Sequence, residues 1–198
     1  VANIGNLDII ICEWMGNFLL SGSLLKKLIY ARDKFLIDDG IIFPDKATLY
    51  ICGVQDEEYK SEKFKMWDNM YNVNMSSIKS VCFKDPLIDN INKENIISTI
   101  CPVFVADLYK ITEEEINFSN CYELIFNKND NLSALVGWFD VEFSKTPNTI
   151  KYTTSPFNQY TKWKQTIFYL EKDICVSIGN ILKGSICARC DPNSIDMN

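Results

Sequence analysis

The sequence predicts an α+β chain, in which the end of an open α/β sheet runs into an antiparallel β-rich domain interrupted by a helical insertion. Three observations predict it. Residues 7–12 (LDIIIC) are a short, continuously apolar, β-branched run of the kind found in a parallel strand covered on both faces. Residues 23–36 then place Leu24, Leu25, Leu28, Ile29 and Phe35 near helical spacing. From Val81 onward, the pattern changes to short β-rich runs separated by Asn, Asp, Pro and Ser.

Taken in order, the apolar run ends at Glu13, and a loop through Gly16 and Gly22 leads to the helix. The spacing closes that helix at Asp38-Asp39-Gly40, with Gly40 as its C-cap, before the Ile41-Ile42-Phe43 strand. Pro44-Asp45 makes a turn, and residues 47–54 read as a strand. After Asp56, Phe64, Trp67, Met70 and Tyr71 form one stripe of an amphipathic helix whose other side carries Lys60, Glu62, Lys63 and Asp68. Packing against the domain's own core is the plain alternative to an interface for that stripe. Further strands are expected at 103–105, 122–126, 135–143, 166–170, 174–178 and 186–189. In the longest, Leu135, Gly137, Phe139, Val141 and Phe143 share one face while Asp140 and Glu142 take the other.

With 198 residues and 47% hydrophobic composition, the chain can bury a core as one domain plus a fragment, or as two small domains. Its net charge of -6 argues against a nucleic-acid footprint and mildly favours cationic partners such as basic peptides. No apolar run approaches the roughly 20 residues of a spanning helix, so no membrane partner is expected. Eight scattered cysteines suggest reduced thiols of the cytosol or nucleus rather than a disulfide frame. A strand-like run beginning so near residue 1 raises the expectation that the fold extends upstream.

Ligands of open α/β sheets sit beyond the carboxyl ends of the strands, which makes Glu13 a functional candidate beside its ordinary reading as a loop or cap residue. Cys187-Ala188-Arg189-Cys190 is a C-x-x-C pair, but the chain has no histidine and no second pair, so no metal site is expected. The same absence removes histidine-based triads. No glycine-rich cofactor loop is present.

Residues 8–16 (DIIICEWMG) resemble the first half of the double-glutamate loop of type I protein arginine methyltransferases. The likeness continues through 30–36 (YARDKFL), 42–50 (IFPDKATLY), 154–156 (TSP) and 160–166 (YTKWKQT), in order and spacing. The resemblance implies that residues 1–46 end a Rossmann-like methyltransferase domain. Residues 47–198 would form an antiparallel β-barrel interrupted by a helical dimerisation arm at 56–80, with Tyr59, Phe64, Trp67, Met70 and Tyr71 on the arm. It implies S-adenosylmethionine as methyl donor, bound mostly by residues outside this chain. It also implies basic protein substrates such as histone tails and Gly/Arg-rich segments, a homodimer, and cytoplasmic and nuclear localisation. A match to a middle section of the enzyme is what these blocks amount to.

The family's reaction is attack by an arginine nitrogen on the sulfonium methyl, helped by two carboxylates that clasp the guanidinium. Glu13 matches the first and is the expected catalytic and substrate-binding residue, with Trp14, Met15 and Trp163 expected to help form the substrate site. Where the family has the second glutamate, this chain has Gly22, and where it has a Thr-His-Trp loop this chain has Thr161-Lys162-Trp163. A lysine there opposes a guanidinium. It offers two roles, an ion pair with Glu13 or a base if burial lowers its pKa. Two readings follow: an arginine methyltransferase, or a catalytically impaired relative acting as a dimerising, substrate-binding scaffold.

Overall fold

A computed structural model describes residues 5–69 and 71–189. It begins with strand β1 (Leu7–Ile11), helix α1 (Leu25–Phe35) and strand β2 (Leu36–Phe43), with β2 parallel to β1. The helix buries Leu25, Leu28 and Ile29, the i, i+3, i+4 face that the spacing predicts. It does not extend to a glycine cap. Leu36 is already extended, and Gly40 lies buried inside β2, where a Cβ would stand 2.5 Å from the Leu36 side chain. The pairing skips from Leu7↔Leu36 to Ile9↔Ile41, so the residues up to Gly40 bulge out of register, and glycine is needed for close approach. Among the described residues β1 is not covered on both faces, because Ile9 and Ile11 are 51% and 80% exposed.

Strand β3 (Lys46–Val54) follows, then helix α2 (Glu57–Lys65), a 3-10 turn at Met66–Asp68 and helix α3 (Ser76–Cys82). Strands β4 (Leu87–Asp89), β5 (Cys101–Asp107), β6 (Phe118–Ile125), β7 (Asp130–Phe143), β8 (Ile150–Thr153), β9 (Gln165–Val176) and β10 (Ile181–Ala188) complete the chain. The main sheet has the order β4-β9-β7-β3-β5, with β8 also on β7, and β6 and β10 form a separate antiparallel ribbon. The fold is therefore mixed and mostly strand, as the composition of its runs implies. Arg32 fastens α1 to the antiparallel part by donating to the carbonyls of Leu108 and Ile111 at 2.7 and 2.9 Å.

β7 departs from simple alternation, because both of its faces are covered. Phe139 and Val141 join Ala47, Leu49, Trp14 and Leu25 in one core, while Ala134, Val136 and Trp138 join Cys52, Val54 and Ile167 in a second. Where it is packed on both sides the strand shows no polar face, and the alternation returns only at half-buried Asp140 and Glu142. The run at 166–170 and the first part of the run at 174–178, up to Val176, are also one strand. Between Leu132↔Ile174 and Ala134↔Tyr169 the register slips, and the surplus residues of β9 form a bulge that carries Asp173 outward.

That bulge holds the helical insertion. Lys60, assigned by its spacing to the polar side, is only 8% exposed, and its Nζ donates to Asp173 at 2.5 Å. The aromatic residues do not form one helical stripe either, because α2 ends at Lys65 and Tyr71 and Asn72 take positive φ of 53° and 63° before α3. Phe64 stacks on Phe83 at 3.9 Å and meets Tyr169 edge-on at 5.7 Å, and the Tyr59 hydroxyl donates to Asp89 at 2.8 Å. Tyr59 and Phe64, both half-buried, thus pack the insertion against the second core. Trp67 is half-buried beside a cavity of about 270 Å³, and Tyr71 is 93% exposed. Met70 lies outside the described residues.

Candidate active site

The loop after β1 is folded back on itself. The Gly16 amide donates to the Leu19 carbonyl at 2.8 Å, and the Asn17 and Ser21 amides donate to one another's carbonyls at 2.9 Å. A Cβ on Gly16 would lie 2.0 Å from the Ser21 carbonyl oxygen, so only glycine closes this turn. Phe18 and Leu19 sit at φ +49° and +66°, a left-handed backbone that non-glycine residues adopt only under constraint from their surroundings. Two side chains supply that constraint. Leu19 is fully buried, and the Phe18 ring meets Phe168 edge-on at 5.0 Å while lying over Gly137.

Trp14 is the second anchor. It is fully buried, and its Nε1 donates to the Pro44 carbonyl at 3.1 Å. Its side chain therefore belongs to the core. Met15 is half-buried against the same core. Between these fixed neighbours and the end of β1, Glu13 projects with its side chain 54% exposed. The adjoining Cys12 thiol is pushed up by burial and by the Glu13 charge.

The structure brings the 161–163 loop to Glu13. Thr161 Oγ1 donates to the Trp163 carbonyl at 2.8 Å and accepts from its amide at 3.1 Å, which makes the loop a tight turn. Trp163 is half-buried and meets Phe139 edge-on at 5.8 Å. Lys162, whose side chain is 64% exposed, donates from Nζ to Glu13 Oε1 and lies 5.1 Å from the Trp163 ring centroid. Of the two roles its chemistry offers, the ion pair is the one formed.

Gly22 stands on the same loop, exposed, at φ +70°, with nothing within 4 Å of where a Cβ would be. At this loop the carboxylate that could accept a guanidinium is Glu13, and a resident ammonium is already on it. Sequence reasoning missed Phe18 and Gly137, which hold the loop. Their signal, a glycine in the middle of an apolar strand, marks a close approach without naming what approaches. Cys187 lies 3.0 Å from Ser119 Oγ, whereas Cys190 is outside the described residues. Among the described residues, no group of three His, Cys, Asp or Glu side chains is placed to hold a metal.

Residues 45–197 match the family model for the arginine methyltransferase oligomerization subdomain. Protein arginine N-methyltransferase 1 of Chlamydomonas reinhardtii is 44% identical over 191 residues, covering 96% of this chain and 55% of that protein. Its counterpart in Schizosaccharomyces pombe is 39% identical over 186 residues, covering 94% and 55%. The chain therefore spans about half the length of these relatives. Among solved structures, the Trypanosoma brucei PRMT1 enzyme-prozyme heterotetrameric complex with AdoHcy superposes with a TM-score of 0.89 at 32% identity, covering 96% of this chain and 60% of that one. Arabidopsis thaliana protein arginine methyltransferase 10 gives 0.78 at 25% identity, covering 92% and 61%. On its fold, its loop and these matches, the chain belongs to the protein arginine methyltransferase family.

Proposed function

We propose that the parent protein works in methylation of arginine in basic protein segments, and that its own guanidinium site is impaired, so that its contribution is oligomerisation and substrate binding. The Lys162 ammonium on the Glu13 carboxylate carries this reading. A guanidinium entering a two-glutamate site meets two negative charges. Here Gly22 removes one and Lys162 neutralises the other, so the incoming cation meets no net charge and must displace a like charge.

The family's methyl donor is S-adenosylmethionine, and the T. brucei complex carries AdoHcy. The residues of this chain do not suffice for that group: its eight glycines include no G-x-G spacing. Its residues' part is binding and orientation: Glu13 accepts the cation, Trp163 and Met15 border it, and anchored Trp14 and Phe18 fix the backbone that aims Glu13. Residues 1–46 would act as the end of the cofactor domain and 47–198 as the barrel domain. The match to the oligomerization subdomain and the likeness to the enzyme-prozyme complex support a subunit that associates with a second copy or with an active relative. Cytoplasm and nucleus are the proposed locations.

The enzyme reading keeps one specific support. An exposed ion pair is worth only about 0–1 kcal/mol, so a substrate guanidinium competes for Glu13 at small cost. The test is transfer of labelled methyl from S-adenosylmethionine to a Gly/Arg-rich peptide by the full-length protein. Background transfer that Glu13→Gln leaves unchanged, and that combined Gly22→Glu and Lys162→His raises, is the expected result. Robust transfer by the unmodified protein, abolished by Glu13→Gln, establishes the enzyme instead.

A further inference from the structure

A cavity of about 570 Å³ lies between the loop after β1, the start of α1 and the β6–β10 ribbon. Leu20, Leu49, Ile116 and Phe118 give it an apolar wall, and among the described residues the charged ones that line it are Lys26, Lys27 and Arg189. Lys26 also pairs with Glu113 at 3.2 Å, both side chains being well exposed. In a chain of net charge -6 this is a local reversal of sign.

Two further observations have the same sign. The first turn of α1 carries Lys26 and Lys27 with no acidic residue, and Leu24 caps it without a side-chain bond, so the positive end of the helix and two ammonium groups act together. Gly22 lines the cavity as well, so the position where the family has a glutamate contributes no charge that would repel an anion. Nearby charges act over a Debye length of about 8 Å at physiological salt, so this rim and not the net charge governs a ligand in the cavity.

We infer that this cavity docks an extended acidic peptide segment, an apolar or aromatic side chain of which seats on the Leu20–Phe118 wall while flanking carboxylates meet Lys27 and Arg189. A free anion fills the rim but leaves the apolar wall in water, and an Arg-rich peptide meets like charge. Charge complementarity and the apolar wall together select the acidic peptide. The inference rests on this cavity and stands whether or not the protein transfers methyl groups.

The test is fluorescence polarisation of the labelled peptide Glu-Asp-Phe-Glu-Asp with the full-length protein. Saturable binding is expected, weakening from about 50 to about 300 mM salt. Lys27→Glu with Arg189→Glu should weaken it on the order of tenfold, with the thermal melting profile unchanged. Lys162→Ala, at the guanidinium site, should leave it unaltered. Absence of saturable binding, binding indifferent to the double reversal in a folded protein, or equal competition by inorganic phosphate or by the same peptide with Gly for Phe overturns the inference.

Discussion

The Phe18 ring occupies the space that a side chain at Gly137 would need, with its Cε2 2.0 Å from the Cβ position. The loop that carries Glu13 is therefore docked on the central strand by a missing methyl group. Gly137→Ala should force the ring out and cost about 1–3 kcal/mol. Because the two residues share one space, adding Phe18→Leu should recover part of that loss. Chemical denaturation of the two single variants and the double variant checks this, and strict additivity contradicts it.

Trp14 fixes the other end of the loop through Pro44. Trp14→Phe keeps most of the packing but leaves the buried Pro44 carbonyl without its donor, a loss of about 1–3 kcal/mol. The effect should appear in thermal melting and should exceed that of Met15→Leu, which removes no hydrogen bond.

Acid stability should depend on Asp89. The Lys164 ammonium donates to it at 2.9 Å and holds its carboxyl at about 2, below the ordinary 3.8, despite partial burial, with Tyr59 and the Asn90 amide assisting. A depressed folded pKa stabilises the fold above the unfolded pKa, and that stabilisation is lost as pH falls from about 4 toward 2. Lys164→Met should therefore cost about 0.5–1 kcal/mol near neutral pH, discounted for the exposure of both groups, with the gap closing toward pH 2. A gap constant over that range contradicts the assignment.

Tyr71 is the exposed aromatic of the helical insertion. Tyr71→Ala should leave melting within about 0.5 kcal/mol of the parent, while together with Trp67→Ala it lowers the sedimentation coefficient of the full-length protein. Unchanged sedimentation contradicts a role of this insertion in assembly. Phe64→Ala should instead cost about 1.5–3 kcal/mol, because half-buried Phe64 packs against the second core and stacks on Phe83.

Much of this was legible from local pattern. The β-branched run at β1, the i, i+3, i+4 face of α1 and the β-rich second half each report their own element. The pairing of Glu13 with Lys162 was legible as one of two roles for the lysine, because each residue sits in a contiguous block that resembles the family. What was not legible depends on contacts between distant segments. Gly40 looks like a helix cap until Leu36 is seen packed against it, and Lys60 looks solvated until a bulge in β9 brings Asp173 over it. Phe64 and Tyr71 share a sequence pattern and have opposite fates, because the left-handed turn at Tyr71 and Asn72 ends the helical period that would have grouped them.

The central claim is that Lys162 occupies the seat of a substrate guanidinium on Glu13, and equilibrium binding of a Gly/Arg-rich peptide to the full-length protein tests it most directly. With an exposed pair worth up to about 1 kcal/mol, Lys162→Ala should tighten binding up to about 5-fold, and Glu13→Gln in the same background should abolish the gain. Binding that Lys162→Ala leaves unchanged or weakens would show that the ammonium does not compete for that seat.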